Sequence, residues 1–191
     1  MAQHKQKKFK DLSSPEKCWV LTHPFKAKRA LRISIEAQKT SDSIKKTNTL
    51  DQDGNGGQVD AFRHAYWMAS LSKEIGRKSA KSLGKAHEKG NHKQFKKNEL
   101  EDGIIPDEAS SEMDLYNNLI GIELYTKNKN SSRIELIHLV IENIKQGKMK
   151  IIKKDSYGNY QDCEGKQINL KQYKGHWSNP KCLVDSNEIK L

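Results

Sequence analysis

The chain has 191 residues, enough for one domain with a substantial core, and its 34% hydrophobic content suits a small, highly charged globule. Its 35 Lys+Arg against 24 Asp+Glu give a net charge of +11, and residues 1–46 alone, with twelve basic and four acidic side chains, supply +8 of it. No stretch approaches the ~20 apolar residues of a membrane helix, and the three cysteines contain no CxxC pair, which argues against a thiolate zinc site or a disulfide framework.

In chain order, residues 1–13 read as a basic, flexible N-terminus. After its charged start only the short stretch CWVLTHPF follows, too brief for the apolar region of an export signal. The expectation is a soluble protein, cytoplasmic or exported by a route that leaves no such mark. Ser14 followed by Pro15 opens a short helix ending near His23-Pro24. From Phe25 to about Lys46 a long basic helix follows, with Ala27, Ala30, Leu31, Ile33, Ile35 and Ala37 on its apolar side. Such a basic region can attract an anionic substrate, a lipid surface or an acidic protein. Nucleic acid is a weaker fit, because Trp19, Trp67 and Trp177 are not interleaved with basic strands.

The loop Asn48 to Gln58 leads into a helix over Val59–Ile75, closed by Gly76; Lys78–Lys89 follows, closed by Gly90. Residues 91–110 lack periodicity. Ser111 is read as capping the next helix, which runs through Leu124, and Ser132 as capping one that runs to Gly147. Beyond it MKIIKK, SYGNY and KQINLKQY read as short strands joined by turns. Cys163 and Cys182 fall in this part and would bridge only in an oxidising compartment. The expected fold is mainly α: a helical domain over residues 14–147 that carries a polar site, with a small β-rich appendage over 148–191.

Two polar constellations stand out. In the loop, Asp51, Asp53 and Asn55 offer oxygen at positions one, three and five, with glycine at six, as an EF-type calcium loop begins. Position twelve is Phe62 where that loop wants Glu, so Asp60 at position ten would have to complete the set. Calcium on Asp51, Asp53, Asn55 and Asp60 is one expectation; a glycine-rich turn whose acids cap the helix is the other.

The second constellation starts on the same helix, where apolar residues from Ala61 to Leu71 point in nearly every direction, as in a central helix. Asp60 and His64 share one face among them and need polar partners. KAHE, with His87 and Glu88, and MDLYNN, with Asp114, Asn117, Asn118 and then Gly121, can supply them. One imidazole could act as general base on water, its tautomer held by Asp114 or Glu88, while Arg63 or Asn118 steadies an anion. A metal on His64, His87 and a carboxylate, or a purely structural network, uses the same residues.

DAFRHAYW, AHE and MDLYNN, in that order, resemble a bacterial domain family of uncharacterised function, found in small standalone proteins and at the ends of larger secreted or toxin-like proteins. The resemblance spans roughly residues 15–125. It implies that Asp60, Arg63, His64, His87, Glu88, Asp114, Asn117 and Asn118 form one site, and it supplies no reaction. A fainter similarity links the Arg63-His64 helix to small bacterial phospholipases, although Ala65 stands where their pattern wants Asp. Together these point to a hydrolase or toxin-like effector that uses His64, His87 and Asp114 on a phosphodiester or lipid ester. The alternative is a noncatalytic binding or adaptor domain whose cluster is structural.

Overall fold

The computed structural model describes residues 9–98 and 105–188. Most of the expected basic N-terminus and part of the expected irregular stretch, residues 1–8 and 99–104, lie outside the described residues. Among the described residues are six α-helices: α1 (Ser14–Thr22), α2 (Pro24–Lys45), α3 (Gln58–Ile75), α4 (Arg77–Lys97), α5 (Glu108–Lys127) and α6 (Arg133–Lys145). They are followed by a two-stranded antiparallel sheet, β1 (Lys150–Ile152) and β2 (Leu183–Asp185), in which Ile151 faces Val184. The fold is mainly helical, and none of these helices is long and apolar enough to cross a membrane.

Local chemistry sets most of the boundaries. Ser13, rather than Ser14, caps α1: its hydroxyl accepts from Glu16 N while Glu16 reaches back to Ser13 N, and Pro15 sits in the first turn. Ser132 and Glu135 repeat the device on α6. Gly76, at φ +85°, alone joins α3 to α4, a left-handed conformation natural only to glycine.

Three expectations are corrected. First, α4 does not stop at Gly90 but runs on to Lys97, capped by Asn98 in a left-handed conformation. Gly90 is small because a Cβ there would collide with the Ser13 hydroxyl of α1. Second, α5 is capped by Asp107, which accepts from Ser110 N and leaves Ser111 inside the helix, where its hydroxyl donates to Glu88 Oε2 at 2.8 Å. Third, SYGNY and KQINLKQY form isolated bridges, Lys154–Tyr160 and Gln161–Gln167, and a 3-10 turn at Leu170–Tyr173; the strand that pairs with β1 is Leu183–Asp185.

Helix α3 is the axis of the domain and contacts α2, α4, α5, α6 and β1. Phe62, Tyr66, Leu136, Val140, Ile144 and Ile151 pack on one side of it; Met68 and Leu71 reach Trp19, Ile33 and Leu83 on the other. Truncating one of these fully buried aliphatic side chains to Ala costs about 2–5 kcal/mol. Its closest neighbour is α5, because Gly121 presents no side chain: a Cβ there would collide with the Ala65 carbonyl.

The C-terminal residues are fastened to this body rather than hung from it. Ile151 of β1 belongs to the α3–α6 core, and the Asn117 amide exchanges two hydrogen bonds with the Lys150 backbone, at 2.9 and 3.0 Å. Cys163 and Cys182 are joined by a disulfide.

Candidate functional site

The glycine-rich loop before α3 gathers the residues read as a cation site. Asp51 Oδ2 accepts from Gln58 N at 2.7 Å and Oδ1 from Asp53 N at 2.9 Å and Val59 N at 3.3 Å, so Asp51 caps a helix whose own N-cap, Gly57, has no side chain. A Cβ at position 57 would lie 2.5 Å from Asp51 Oδ2, which is why glycine stands there. Burial raises the Asp51 carboxyl above its ordinary range despite these amides. Asp53 accepts from Asn55 N through Oδ1 and ion-pairs through Oδ2 with the Lys154 ammonium, which also donates to Asn55 O at 2.6 Å. Asp60 Oδ2 accepts from Gly56 N at 2.8 Å. The positive group seated among these oxygens is thus a lysine from the C-terminal segment.

One turn into α3 the second constellation forms. His64 Nε2 lies 3.2 Å from Asp114 Oδ1 on α5 and 3.6 Å from Asp60 Oδ1 on its own helix. Arg63 pairs with the same Asp60 oxygen at 2.6 Å. Asp60, His64 and Asp114 are all buried, and His64 is only 1% exposed. Two carboxylates aimed at one imidazole can fix its tautomer and orientation. The same three side chains could hold a metal ion, since each offers one ligand atom and these atoms lie within 4.8 Å of one another. Gly121 makes the arrangement possible by bringing α5 against α3 at Ala65.

His87 stands beside this group with a different partner. Its ring centre is 6.4 Å from that of His64, and Trp67 packs edge-on to both rings. Its Nδ1 lies 3.0 Å from Glu16 Oε1 on α1. Burial raises the Glu16 carboxyl, but its hydrogen bond and charge interaction with His87 and its bonds to Ser13 outweigh that and hold it down at about 2. Two imidazoles, each carboxylate-held, therefore face one another across α3 and α4.

The remaining expected residues divide. Glu88 accepts from Ser111 and from Asn91 at 3.1 Å, bracing α4 against α5. Asn117 holds the β1 backbone. Asn118 is buried one turn beyond Asp114, its amide 3.4 Å from where a Cβ of Gly84 would be.

Sequence reading missed Glu16, Lys154, Tyr160 and Lys181. Lys154 and Lys181 lie 4.9 and 4.0 Å from the Tyr160 ring centre. Burial, then the charges of Asp53, Asp107 and Asp60, push the Tyr160 hydroxyl up to about 12. The Lys181 side chain, 4% exposed, pairs with Asp107 at 2.5 Å, and Asn179 donates to the same oxygen at 2.8 Å. Burial raises the Asp107 carboxyl, and Lys181, Ser110 and Asn179 together lower it further than burial lifts it. Glu16 was legible as the third helical residue of a Ser-x-x-Glu capping box; the two lysines and Tyr160 sit in no motif.

Against known proteins, one family model matches: DUF6973, a domain of unknown function, over residues 17–148. That span begins inside α1 and ends just before β1. No curated protein and no solved structure matches the chain.

Proposed function

Since the chain belongs to the DUF6973 family, a domain of unknown function, its chemistry has to be argued from the site, and we propose that the domain is a hydrolase in which His64 and His87 act as an acid–base pair. The observation that carries this reading is the facing of two imidazoles 6.4 Å apart, each beside a carboxylate from another helix, Asp114 for His64 and Glu16 for His87. In the proposed step, neutral His64 removes a proton from water as the oxygen attacks phosphorus or an ester carbon. Protonated His87 delivers its proton to the leaving oxygen as that bond breaks. Asp114 and Glu16 orient the rings, and Arg63, held by Asp60, offsets negative charge on the substrate. A phosphodiester or lipid ester suits a site with this cation beside it. The Cys163–Cys182 disulfide favours an oxidising compartment, in keeping with an exported effector.

A second reading has its own observation. His64 is 1% exposed and Asp60 already pairs with Arg63, as in a sealed polar network that fixes α3 against α5. Calcium in the loop is a separate question; it would have to displace Lys154 from Asp53 and Asn55.

The test is His64→Gln assayed on a chromogenic phosphodiester and a short-chain ester, with melting curves on the same samples. The acid–base reading expects a folded variant that loses ~10²–10⁴-fold activity. The network reading expects a loss of about 1–3 kcal/mol in stability with no selective loss of activity.

A further inference from the structure

Helix α2 packs through Ala30, Ile33, Ala37 and Ser41. At 100° per residue the opposite side carries Phe25, Lys28, Leu31, Arg32 and Ile35, with Arg29 at its edge. This outward face is both apolar and cationic. Phe25 is 92% exposed, Leu31 is exposed, and with Ile35 they line an open groove of about 580 Å³ whose other walls are Lys28, Arg29, Arg32 and Glu74. The acid lining it, Glu74, is already bonded to Arg32 at 2.9 Å. Leu21, four residues before Phe25 at the end of α1, is also 71% exposed.

Phe25, Leu31 and Ile35 share one groove rimmed by charged side chains, and an exposed apolar patch with a polar rim marks an interaction surface. We infer that this face of α2 docks on an anionic lipid bilayer, with Phe25 and Leu31 entering the headgroup boundary and Lys28 and Arg29 meeting lipid phosphates. Charge selects the occupant. Lys28 and Arg29, left over once Arg32 and Glu74 offset each other, set a net positive charge around the apolar centre that is complementary to an anionic surface, whereas a second copy of a chain carrying +11 would bring the same cations against them. Phe25 also projects outward instead of lying recessed, as insertion into a soft interface requires and a rigid protein pocket does not. The inference is independent of whether His64 is catalytic.

The experiment is co-sedimentation of the full chain with vesicles of phosphatidylcholine alone and of equimolar phosphatidylcholine and phosphatidylglycerol. Binding is expected only to the mixed vesicles, weakening as salt rises. Phe25→Ala should reduce partitioning by about 10-fold, and Lys28→Glu with Arg29→Glu by at least ~10-fold. Ile134→Ala, at another exposed apolar position, should leave it unchanged. Attraction through basic charge alone would be indifferent to Phe25, so unchanged vesicle binding by Phe25→Ala overturns the inference. So do equal binding to both vesicle types, absence of binding, and Phe25-dependent self-association or capture of an acidic protein without lipid binding. Melting curves matching the wild type show that each variant is folded.

Discussion

The loop before α3 and the cluster between α3 and α5 are built from the same kind of residue, yet they use it differently. In the loop every acid is occupied in holding the backbone or a lysine. Asp51 caps α3, Asp53 holds Asn55 N and Lys154, and Asp60 closes the turn through Gly56 N. In the cluster, Asp60 and Asp114 turn their Oδ1 atoms toward one imidazole, a type of group whose ordinary charge change lies near neutral pH. Asp60 belongs to both, so the loop positions the cluster. Carboxylates answered by backbone amides hold the loop in shape, whereas those of the cluster are answered by a histidine side chain.

The largest expected effect tests whether helix approach sustains the cluster. Gly121→Ala drives a methyl into the Ala65 carbonyl, a backbone contact that no side-chain rotation relieves. It should cost about 3 kcal/mol or more in denaturant unfolding and separate His64 from Asp114. A variant as stable as the wild type would show that Gly121 does not govern how closely α5 approaches α3.

The next concerns the second imidazole. Glu16 is held at about 2, below its ordinary 4.5, so its contribution is complete above pH 4.5 and is lost as pH falls toward 2. Glu16→Gln should be less stable than the wild type at neutral pH, on the order of 1–2 kcal/mol for a partly exposed group. That gap should close across the window from 4.5 down to 2. A gap independent of pH would mean that packing, not the charged pair with His87, holds Glu16 in place.

The smallest effect sharpens the reading of the loop. With Lys154 seated on Asp53 and Asn55, calcium should leave the wild-type melting temperature unchanged, while Lys154→Met should gain a calcium-dependent rise. A calcium-dependent rise already present in the wild type would make the loop a cation site in its own right and undo its contrast with the cluster.

How much of this could be read beforehand follows from the range of the interactions. The central place of α3 was legible, because apolar residues all round a helix have no other explanation, and so was the pairing of Asp60 and His64 with Asp114, since buried polar groups demand partners. The caps at Ser132 and near Ser14 were local and were found. Gly90 was misread because a glycine after an amphipathic run looks like a helix end, whereas its reason is the distant Ser13 hydroxyl. Asp107 was missed because nothing periodic precedes it. His87 was expected at the common centre and stands beside it, held by Glu16 on α1. Lys154, Tyr160 and Lys181 owe their place to a chain that folds back across a separation of about thirty residues between β1 and β2, information no local pattern contains.

Whether His64 moves a proton or merely fills space is decided by the pH–rate profile of the wild type and of His64→Gln on a chromogenic phosphodiester, with melting temperatures recorded alongside. A proton-moving His64 gives a bell-shaped profile in the wild type, from one neutral and one protonated imidazole. In His64→Gln the acidic limb should disappear together with ~10²–10⁴-fold of the rate, in a variant that remains folded. A destabilised His64→Gln protein that keeps the wild-type rate and profile would contradict this and leave the cluster as a packing network.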